Sequence, residues 1–320
     1  MSEIAIFSTS VDSPTYEPVV RDLSERGYDV WVYSADRVAK GIDSLEIRIG
    51  KGEDFKLIHN EREHSLSTIK SAWYRHPYLF NMQMPDKAKE MCIEREIDAL
   101  QESVWQQIPD NAWLNHPAAM TKAQAKLSQL SLAQTLGFSI PNTIIANRWN
   151  SINGLLDDET IIVKMSKGLT YEANKARVLY TTKLSKSMRN ELSTNNPFPG
   201  IYQEYLEKKR EWRITVVGDD AFEAAIYTED EVKDDWRKHQ FSSGVRFSRE
   251  YMPKQEIKRC ISFLGHLGLT YGTFDFVEDK DGKITFLECN TNGQFRWLED
   301  TLGFPISNAI ADVLIQRNNQ

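Results

Sequence analysis

Two apolar runs joined by a short polar turn, at residues 272–277 and 285–290, constrain the fold of this chain more than any other feature. The connection contains the sequence DKDGK, which is typical of a β-hairpin turn. Because alternate residues of a strand share a face, Asp275, Glu288 and Asn290 are predicted to project to one side of the pair. Two carboxylates and an amide oxygen suit Mg²⁺, which completes its coordination with phosphate oxygens. The alternative is a solvent-facing polar stripe.

Two lysines upstream of this hairpin could supply positive charge to a polyphosphate. Lys126 lies within a predicted helix, Lys122–Leu136, and Lys164 ends an apolar strand at residues 161–164. A polyphosphate needs point charges that reach its oxygens, and lysine provides them. A lysine at a strand end is also commonly just a solvated charge, so this alternative stays open for each of the two.

A third segment, Tyr202–Glu207, reads as an extended strand that leads into a linker. Its backbone N–H and C=O groups could pair with the edge of an adenine. Beyond it, Glu211 could accept hydrogen bonds from ribose hydroxyls, and Arg213 could hold the oxygens of a transferring phosphoryl group. The alternative is a pair of strands with alternating exposed charges.

The composition excludes several classes of protein. The 320 residues include 39 basic and 46 acidic side chains, and the formal charge of −7 argues against a general nucleic-acid-binding surface. The 3 cysteines are too few and too scattered for a disulfide framework or a zinc site, and they fit a reducing compartment. There is no signal-peptide pattern and no run of about 18 apolar residues. We therefore expect a soluble cytoplasmic protein with neither a nucleic acid nor a membrane as partner.

The order of the predicted elements indicates a multi-domain α+β protein. The chain opens with a strand–helix–strand pattern, but its first loop contains no glycine, so a dinucleotide-binding turn is excluded. Breaks at Asn115-His116-Pro117 and at the Asn- and Pro-rich residues 193–200 mark two boundaries. The predicted domains are residues 1–115, 116–200 and 201–320.

Taken in chain order, these parts resemble the ATP-grasp superfamily, and more closely the graspetide (microviridin-type) peptide macrocyclases. The similar stretches span nearly the whole chain: Ser71–Arg75, Ile162–Met165, Gln203–Glu204, Glu211–Gly218, Asp235–Lys238, Leu287–Gln294 and Trp297–Glu299. The resemblance implies an ATP-grasp fold, in which two α+β lobes clasp ATP behind an N-terminal α/β pre-ATP-grasp domain. The central lobe would be residues 116–200, and the C-terminal lobe with the Mg²⁺ site would be residues 201–320.

The resemblance also implies an activity. The family consists of ATP-dependent ligases that phosphorylate Asp or Glu side chains of a ribosomal precursor peptide with a leader and an acidic core. A Ser/Thr hydroxyl or Lys amine of the same peptide then displaces phosphate and forms an ω-ester or ω-amide crosslink. The implied cofactors are ATP and two Mg²⁺ ions, and the implied assembly is a homodimer.

Residue roles follow from the same resemblance. Lys126 and Lys164 would contact the phosphates, Glu204 and Leu206 the adenine, and Glu211 the ribose. Arg213 would contact the acyl phosphate, and Lys164 and Arg213 would be catalytic. The Mg²⁺ ligands would be Asp275, Glu288 and Asn290. Asp235 and Arg237 match an Asp-x-Arg motif associated with the peptide, and Arg75 and Arg296 are further candidates for peptide contact. Arg296 replaces an apolar or aromatic residue of the family and is suited to an acidic substrate.

Two other functions remain open on the sequence. An ATP-grasp ligase that joins an amino acid or peptide to a separate carboxylate substrate, as in ribosomal-protein glutamate ligases, would use the same catalytic parts. The Trp-Tyr-Arg and Asp-Trp-Arg stretches at 73–75 and 235–237 favour the macrocyclase. A non-catalytic nucleotide-dependent regulator is disfavoured, because the metal-ligand positions and both lysines are present.

Overall fold

The computed structural model describes residues 3–48, 50, 56–77, 85–147, 152, 161–164, 169–172, 175–178, 182–184, 200–229 and 244–320. These residues form a mixed α+β structure with five β-sheets. None of the described helices is long and apolar enough to cross a membrane.

The N-terminal segment confirms the predicted strand–helix–strand pattern. A parallel sheet has the strand order β2-β1-β6, and a small antiparallel sheet of β3, β4 and β5 lies beside it. The strands are β1 (Ile4–Ser8), β2 (Val30–Ser34), β3 (Leu45–Arg48), β4 (Lys56–His59), β5 (Arg62–Ser65) and β6 (Ser71–Tyr74). The helices are α1 (Ser13–Glu25), α2 (Ala35–Ala39) and α3 (Lys87–Trp105).

The single helix predicted over Lys122–Leu136 is wrong, because two helices occupy this region: α4 (Pro117–Ala123) and α5 (Lys126–Thr135). The chain between them is extended at Ala125, with φ −69° and ψ 100°. The carbonyl of Ala123 accepts a hydrogen bond from the Gln129 side chain at 2.7 Å, which satisfies it at the end of α4. Lys126 is therefore the first residue of a helix and not an interior one.

The central segment contributes an antiparallel four-stranded sheet, in the order β11-β8-β12-β7, and a separate hairpin of β9 and β10. The strand bounds are β7 (Thr143–Ala146), β8 (Ile161–Lys164), β9 (Leu169–Glu172), β10 (Lys175–Val178), β11 (Thr182–Lys183) and β12 (Gly200–Glu204). Ile161 and Tyr202 are buried in a small core of this sheet. β12 begins at the predicted boundary near residue 200, yet it pairs with β7 and β8.

The C-terminal segment is an antiparallel five-stranded sheet in the order β15-β14-β13-β16-β17. Its strands are β13 (Arg210–Val217), β14 (Asp220–Thr228), β15 (Val245–Arg249), β16 (Tyr271–Glu278) and β17 (Ile284–Asn290). Its helices are α6 (Lys254–His266), α7 (Arg296–Leu302) and α8 (Ile306–Asn318). The predicted hairpin is confirmed as β16 and β17, and it ends at the edge strand β17.

An apolar cluster joins the two ends of the chain. Val19 and Leu23 on α1 are fully buried in the same cluster as Ile310 and Leu314 on α8. These residues recur at four-residue steps, so each helix presents one apolar stripe to the other. The N-terminal segment is thereby docked against the lobe that carries the hairpin.

Candidate active site

The three predicted metal ligands lie on the β16–β17 hairpin. Asp275 is directly opposite Glu288, and Asn290 is opposite Thr273 on the same side of the pair. The Asp275 and Glu288 side chains are half-buried, with 17% and 29% of their surfaces exposed. The two carboxylates and the amide therefore lie on one face, as predicted from the sequence, but alternation alone does not place them there. Without the register shift after Asp275, that residue would lie opposite Leu287.

A register shift follows Asp275 and keeps the other face of the hairpin apolar. Phe276 pairs with Phe286, so one residue of β17 is left out of the ladder between Phe286 and Glu288. Phe286 and Cys289, three positions apart, are consequently both buried in the core. Such a bulge aims side chains that a regular ladder would place differently.

Each carboxylate of the hairpin is paired with a cation. Nη1 of Arg213, which lies opposite Asp275 on β13, donates to both Asp275 oxygens at 2.9 and 2.8 Å. Burial by itself lowers the pKa of Arg213, but the Asp275 carboxylate outweighs it and raises that pKa above its usual value. Nζ of Lys126 lies 3.3 Å from Oε2 of Glu288. A metal bound here would share these carboxylates with two positive groups.

The donor set fits Mg²⁺. Among the described residues, no group of three or more His, Cys, Asp and Glu side chains is placed to hold a metal ion. Two carboxylates and one amide are too few for an all-protein cage, but they suit an ion that keeps phosphate and water ligands. Arg213 and Lys126 would then neutralise phosphate oxygens at the same place.

The turn after β17 packs so closely against a side chain of β16 that only glycine fits at one position. A Cβ atom on Gly293 would lie 1.7 Å from Oγ1 of Thr273 on β16. The Tyr271 hydroxyl donates to the Gly293 carbonyl at 2.6 Å, and the Asn292 N–H donates to Oδ1 of Asn290 at 3.2 Å. The turn thus fixes the amide of Asn290, one of the predicted ligands.

Arg75 connects this turn to the N-terminal segment. Its side chain is completely buried; Nε donates to Asp12 at 2.7 Å, and Nη1 donates to the carbonyl and Oδ1 of Asn292 at 2.9 and 3.0 Å. The structure therefore places Arg75 beneath the turn, where it orients Asn292. Its predicted contact with a peptide stays a prediction.

His76 is a neighbour of the site that the sequence analysis missed. Its backbone has φ +45°, which is uncommon for a residue with a side chain, and Nε2 lies 2.8 Å from the Asn292 carbonyl. Because a carbonyl can only accept, Nε2 is the protonated nitrogen of the neutral ring. Burial lowers the pKa of His76 to about 4. Nothing in the sequence around His76 signals this contact, which joins residues 216 positions apart.

The predicted nucleotide contacts surround the link between β12 and β13. The Glu204 carboxylate accepts from the main-chain N–H and Nδ2 of Asn142, at 3.0 and 2.9 Å. Leu206 lies in the irregular segment that follows, and its side chain is half-buried. Nζ of Lys208 forms an ion pair with the Glu211 carboxylate on β13 at 2.5 Å, and both side chains are largely buried. Lys208 is a second residue that the sequence analysis missed.

The remaining predicted residues are more dispersed. Lys164 ends β8, is half-buried and lies opposite Ile201 on β12. Arg296 binds two carboxylates of its own helix α7, those of Glu299 at 2.9 Å and Asp300 at 2.6 Å. Asp235 and Arg237, which were predicted to contact the peptide, lie outside the described residues.

Comparison with known proteins identifies the N-terminal part and the whole fold. Residues 3–121 match the model of the MvdD pre-ATP-grasp domain. No curated protein sequence matches the chain. A RiPP-associated ATP-grasp ligase from Chryseobacterium gregarium, solved with ADP and a leader and core peptide, is 25% identical with a TM-score of 0.86, over 99% of this chain and 97% of that one.

Two further structures share the fold. The macrocyclase MdnC from Microcystis aeruginosa MRC, bound with its precursor peptide MdnA, is 25% identical with a TM-score of 0.83, over 98% of this chain and 99% of that one. The ATP-grasp ligase PsnB, complexed with a phosphomimetic precursor variant, Mg and ADP, is 19% identical with a TM-score of 0.77 over 99% of each chain. The N-terminal domain match and this shared architecture show that the chain has the ATP-grasp fold with a pre-ATP-grasp domain, and its structural neighbours include RiPP peptide macrocyclases.

Proposed function

We propose that this chain is an ATP-dependent ligase that phosphorylates Asp or Glu side chains of a ribosomal precursor peptide. It then closes intramolecular ω-ester or ω-amide crosslinks in that peptide. The observation that carries this proposal is the hairpin on which Asp275 and Glu288 face each other, paired with Arg213 and Lys126. Its support is a fold shared along almost the whole chain with ligases solved in complex with ADP and precursor peptides.

The chemistry needs two anions to approach each other. An oxygen of the peptide carboxylate attacks the γ-phosphorus of ATP, and ADP leaves with the bond electrons. Arg213 and Lys126 offset this repulsion, because they place two positive charges beside the hairpin. Each now contacts a carboxylate and can turn toward the phosphoryl oxygens. Bound Mg²⁺ supplies further positive charge to the transferring group. Lys164 is proposed to contact the same phosphates.

The second step closes the ring. A Ser or Thr hydroxyl, or a Lys amine, of the same peptide attacks the acyl carbon, and phosphate leaves with the former carboxylate oxygen. The nucleophile loses one proton, so each ring removes one water from the peptide overall. Arg213 lies beside Asp275 and can hold the oxygens of the acyl phosphate while the nucleophile approaches.

We propose that the nucleotide base lies against the main chain at Glu204 and Leu206. The Glu204 carboxylate is engaged by Asn142, so the backbone groups of this segment are the better candidates for the adenine edge. Glu211 would accept from the ribose hydroxyls, and Lys208 would fix the position of its carboxylate.

The precursor peptide would contact Asp235, Arg237 and Arg296, whereas the buried Arg75 would reach it only if the turn at Asn292 opened. Arginines suit an acidic core because the guanidinium binds a carboxylate through two hydrogen bonds. Arg296 already binds Glu299 and Asp300, so an acidic peptide would have to compete with those carboxylates.

Other parts of the proposal concern assembly and location. We propose a cytoplasmic homodimer that binds two Mg²⁺ ions, with domains at residues 1–115, 116–200 and 201–320. The cysteines support a reducing compartment, because Cys92, Cys260 and Cys289 are all free thiols. The hairpin would supply oxygen ligands for the metal ions, and the family-model match over residues 3–121 supports the first domain.

The test is the mass of the product. The purified chain is incubated with Mg·ATP and a short peptide encoded beside its gene that contains Thr or Lys and repeated Asp or Glu. A macrocyclase yields a single peptide that is lighter by one water per ring. A heavier adduct of two molecules would overturn ring closure and establish the intermolecular ligase instead. The matched control is the same reaction with ADP in place of ATP, which should leave the peptide mass unchanged.

A further inference from the structure

We propose that Gln129 is a positioning residue for the metal site, and this inference rests on the proposed function of the β16–β17 hairpin. Its side-chain amide holds the backbone of β17 at Cys289, between the predicted ligands Glu288 and Asn290. Gln129 does not touch the reacting groups. Its role is to keep the two ligand side chains at the spacing the metal requires.

The contact is reciprocal and buried. Oε1 of Gln129 accepts from the Cys289 N–H at 2.8 Å, and Nε2 donates to the Cys289 carbonyl at 2.8 Å. Only 5% of the Gln129 surface is exposed, and only 4% of Cys289. A side-chain amide here makes the two hydrogen bonds that a neighbouring strand would make.

The position needs such a partner because β17 is the edge strand of the five-stranded sheet. The Cys289 N–H and carbonyl point away from β16, and buried backbone groups without partners are costly. An amide side chain offers a donor and an acceptor side by side, which matches the N–H and carbonyl of one residue. Gln129 therefore satisfies the backbone hydrogen bonds of the edge strand at Cys289, the residue between the two predicted ligands.

A third hydrogen bond fixes the orientation of the amide. Nε2 of Gln129 also donates to the Ala123 carbonyl at 2.7 Å, at the end of α4. With two carbonyls on one side and an N–H on the other, the positions of nitrogen and oxygen cannot be exchanged. The amide thus links α4, α5 and β17 at a single point.

The same helix supplies the charge partner of the neighbouring ligand. Lys126 lies one turn before Gln129 on α5, and its Nζ is 3.3 Å from Glu288. Residues three apart on a helix share a face. α5 therefore sets both the backbone position of β17 and the charge beside its carboxylate.

The experiment compares Gln129→Met with Gln134→Met in the full-length chain. Gln134 lies on the same helix but is exposed, so it is the matched control. Binding of Mn²⁺, a spectroscopic probe for the metal, is titrated in the presence of ADP. We expect Gln129→Met to weaken Mn²⁺ binding about tenfold or more, as removal of groups that orient metal ligands commonly does. Gln134→Met should bind Mn²⁺ as the unaltered chain does.

Hydrogen exchange of the peptide covering residues 284–290 reports on the contact without any metal. Gln129→Met should speed exchange at Cys289, and Gln134→Met should not. If exchange is faster but Mn²⁺ affinity is unchanged, the positioning role is refuted while the metal site stands. If the unaltered chain with ADP does not bind Mn²⁺, the proposed metal site itself is refuted, and the positioning role falls with it.

A second variant covers the case in which Gln129→Met does not fold. Gln129→Glu keeps an oxygen for the Cys289 N–H but places a carboxylate against two carbonyls. It should also weaken Mn²⁺ binding. Affinity equal to that of the unaltered chain in a folded Gln129→Glu protein would refute the role of the Nε2 donor.

Discussion

Arg213 and Asp275 lie opposite each other on β13 and β16, and Nη1 of Arg213 donates to both oxygens of the Asp275 carboxylate. Three residues along the same strands, Arg210 lies opposite Glu278 and donates to its two oxygens at 2.7 and 2.9 Å. The two pairs have similar chemistry, but only the first adjoins Glu288. We propose that Arg213 and Asp275 serve catalysis, whereas Arg210 and Glu278 stabilise the fold.

Arg213→Lys should reduce the rate of peptide-dependent ADP release by roughly 100- to 1,000-fold, the usual effect of losing one preorganised donor to developing charge. A lysine has one compact ammonium group, so it cannot contact Asp275 and the Gln294 carbonyl with separate nitrogens as Arg213 does. Single-turnover ADP release at saturating ATP measures the change.

Arg210→Lys is the matched control for that variant. It should lower the melting temperature, because Arg210 also binds the Tyr227 hydroxyl at 2.9 Å in a half-buried network. It should change the rate of ADP release by no more than about threefold, a difference worth under 1 kcal/mol. Equal rate losses in the two variants would mean that both act through stability.

Glu288→Gln should abolish turnover while leaving the fold stable, since it removes the charge of a proposed metal ligand. Its ion pair with Lys126 is partly exposed, with 29% and 30% of the side chains accessible, so the pair itself adds little stability. The control is Glu46→Gln, because Glu46 and Arg48 form an ion pair at 2.6 Å whose side chains are more than half exposed and which lies outside the proposed site. Activity near that of the unaltered chain in Glu288→Gln, measured as ADP release, would remove Glu288 from the metal site.

Gly293→Ala should displace the turn that orients Asn290, because the added Cβ would lie 1.7 Å from Oγ1 of Thr273. Both the melting temperature and the rate of ADP release should fall. Gly265→Ala is the comparison: nothing lies within 4 Å of its added Cβ, and alanine favours the helix. It should be neutral or stabilising. A Gly293→Ala protein as active and stable as Gly265→Ala would show that the turn is not constrained.

Folding stability should fall as pH drops from about 6.5 to 4, in part because of His76. Burial lowers the pKa of His76 from 6.5 to about 4, so in this window the unfolded chain binds a proton that the folded chain does not. The contribution of the neutral His76 ring to the free energy of unfolding is complete above pH 6.5 and is lost as the pH falls toward 4. Between pH 7 and 5 the loss from this one group is roughly 1–2 kcal/mol.

His76→Asn tests this dependence, since asparagine tolerates a positive φ and does not titrate. Urea unfolding at pH 7 and pH 5 should show a smaller loss of stability in the variant than in the unaltered chain. The pKa of His59 is also lowered by burial, but His59 is present in both proteins and cancels in the comparison. The same pH dependence in the two proteins would mean that His76 does not titrate below its ordinary range.

The hairpin is predictable from its turn and its apolar runs, and Glu288 and Asn290 share a face because strand alternation is a local property. Asp275 joins them only because the pairing shifts by one residue after it. The register shift after Asp275 is not predictable in this way, since it depends on how Phe286 and Cys289 fit the core.

The contacts that support the site cannot be predicted from the sequence, because their partners are far apart in the chain. Arg75 and Asn292 are 217 positions apart, and Gln129 and Cys289 are 160 apart. Neither pair belongs to a pattern with a period. The break between α4 and α5 is similar, because the residues around Ala125 favour a helix, while the Ala123 carbonyl at the end of α4 is satisfied by the distant side chain of Gln129.

The most direct test of carboxylate phosphorylation is to trace a carboxylate oxygen with an isotope label. A precursor peptide carrying ¹⁸O in its Asp and Glu side chains is incubated with the chain and Mg·ATP, and the released phosphate is analysed by mass spectrometry. If the carboxylate is phosphorylated and then attacked, one ¹⁸O appears in phosphate for each water lost from the peptide. Unlabelled phosphate alongside a dehydrated peptide would contradict activation through an acyl phosphate, and with it the role given to Arg213, Lys126 and the β16–β17 hairpin.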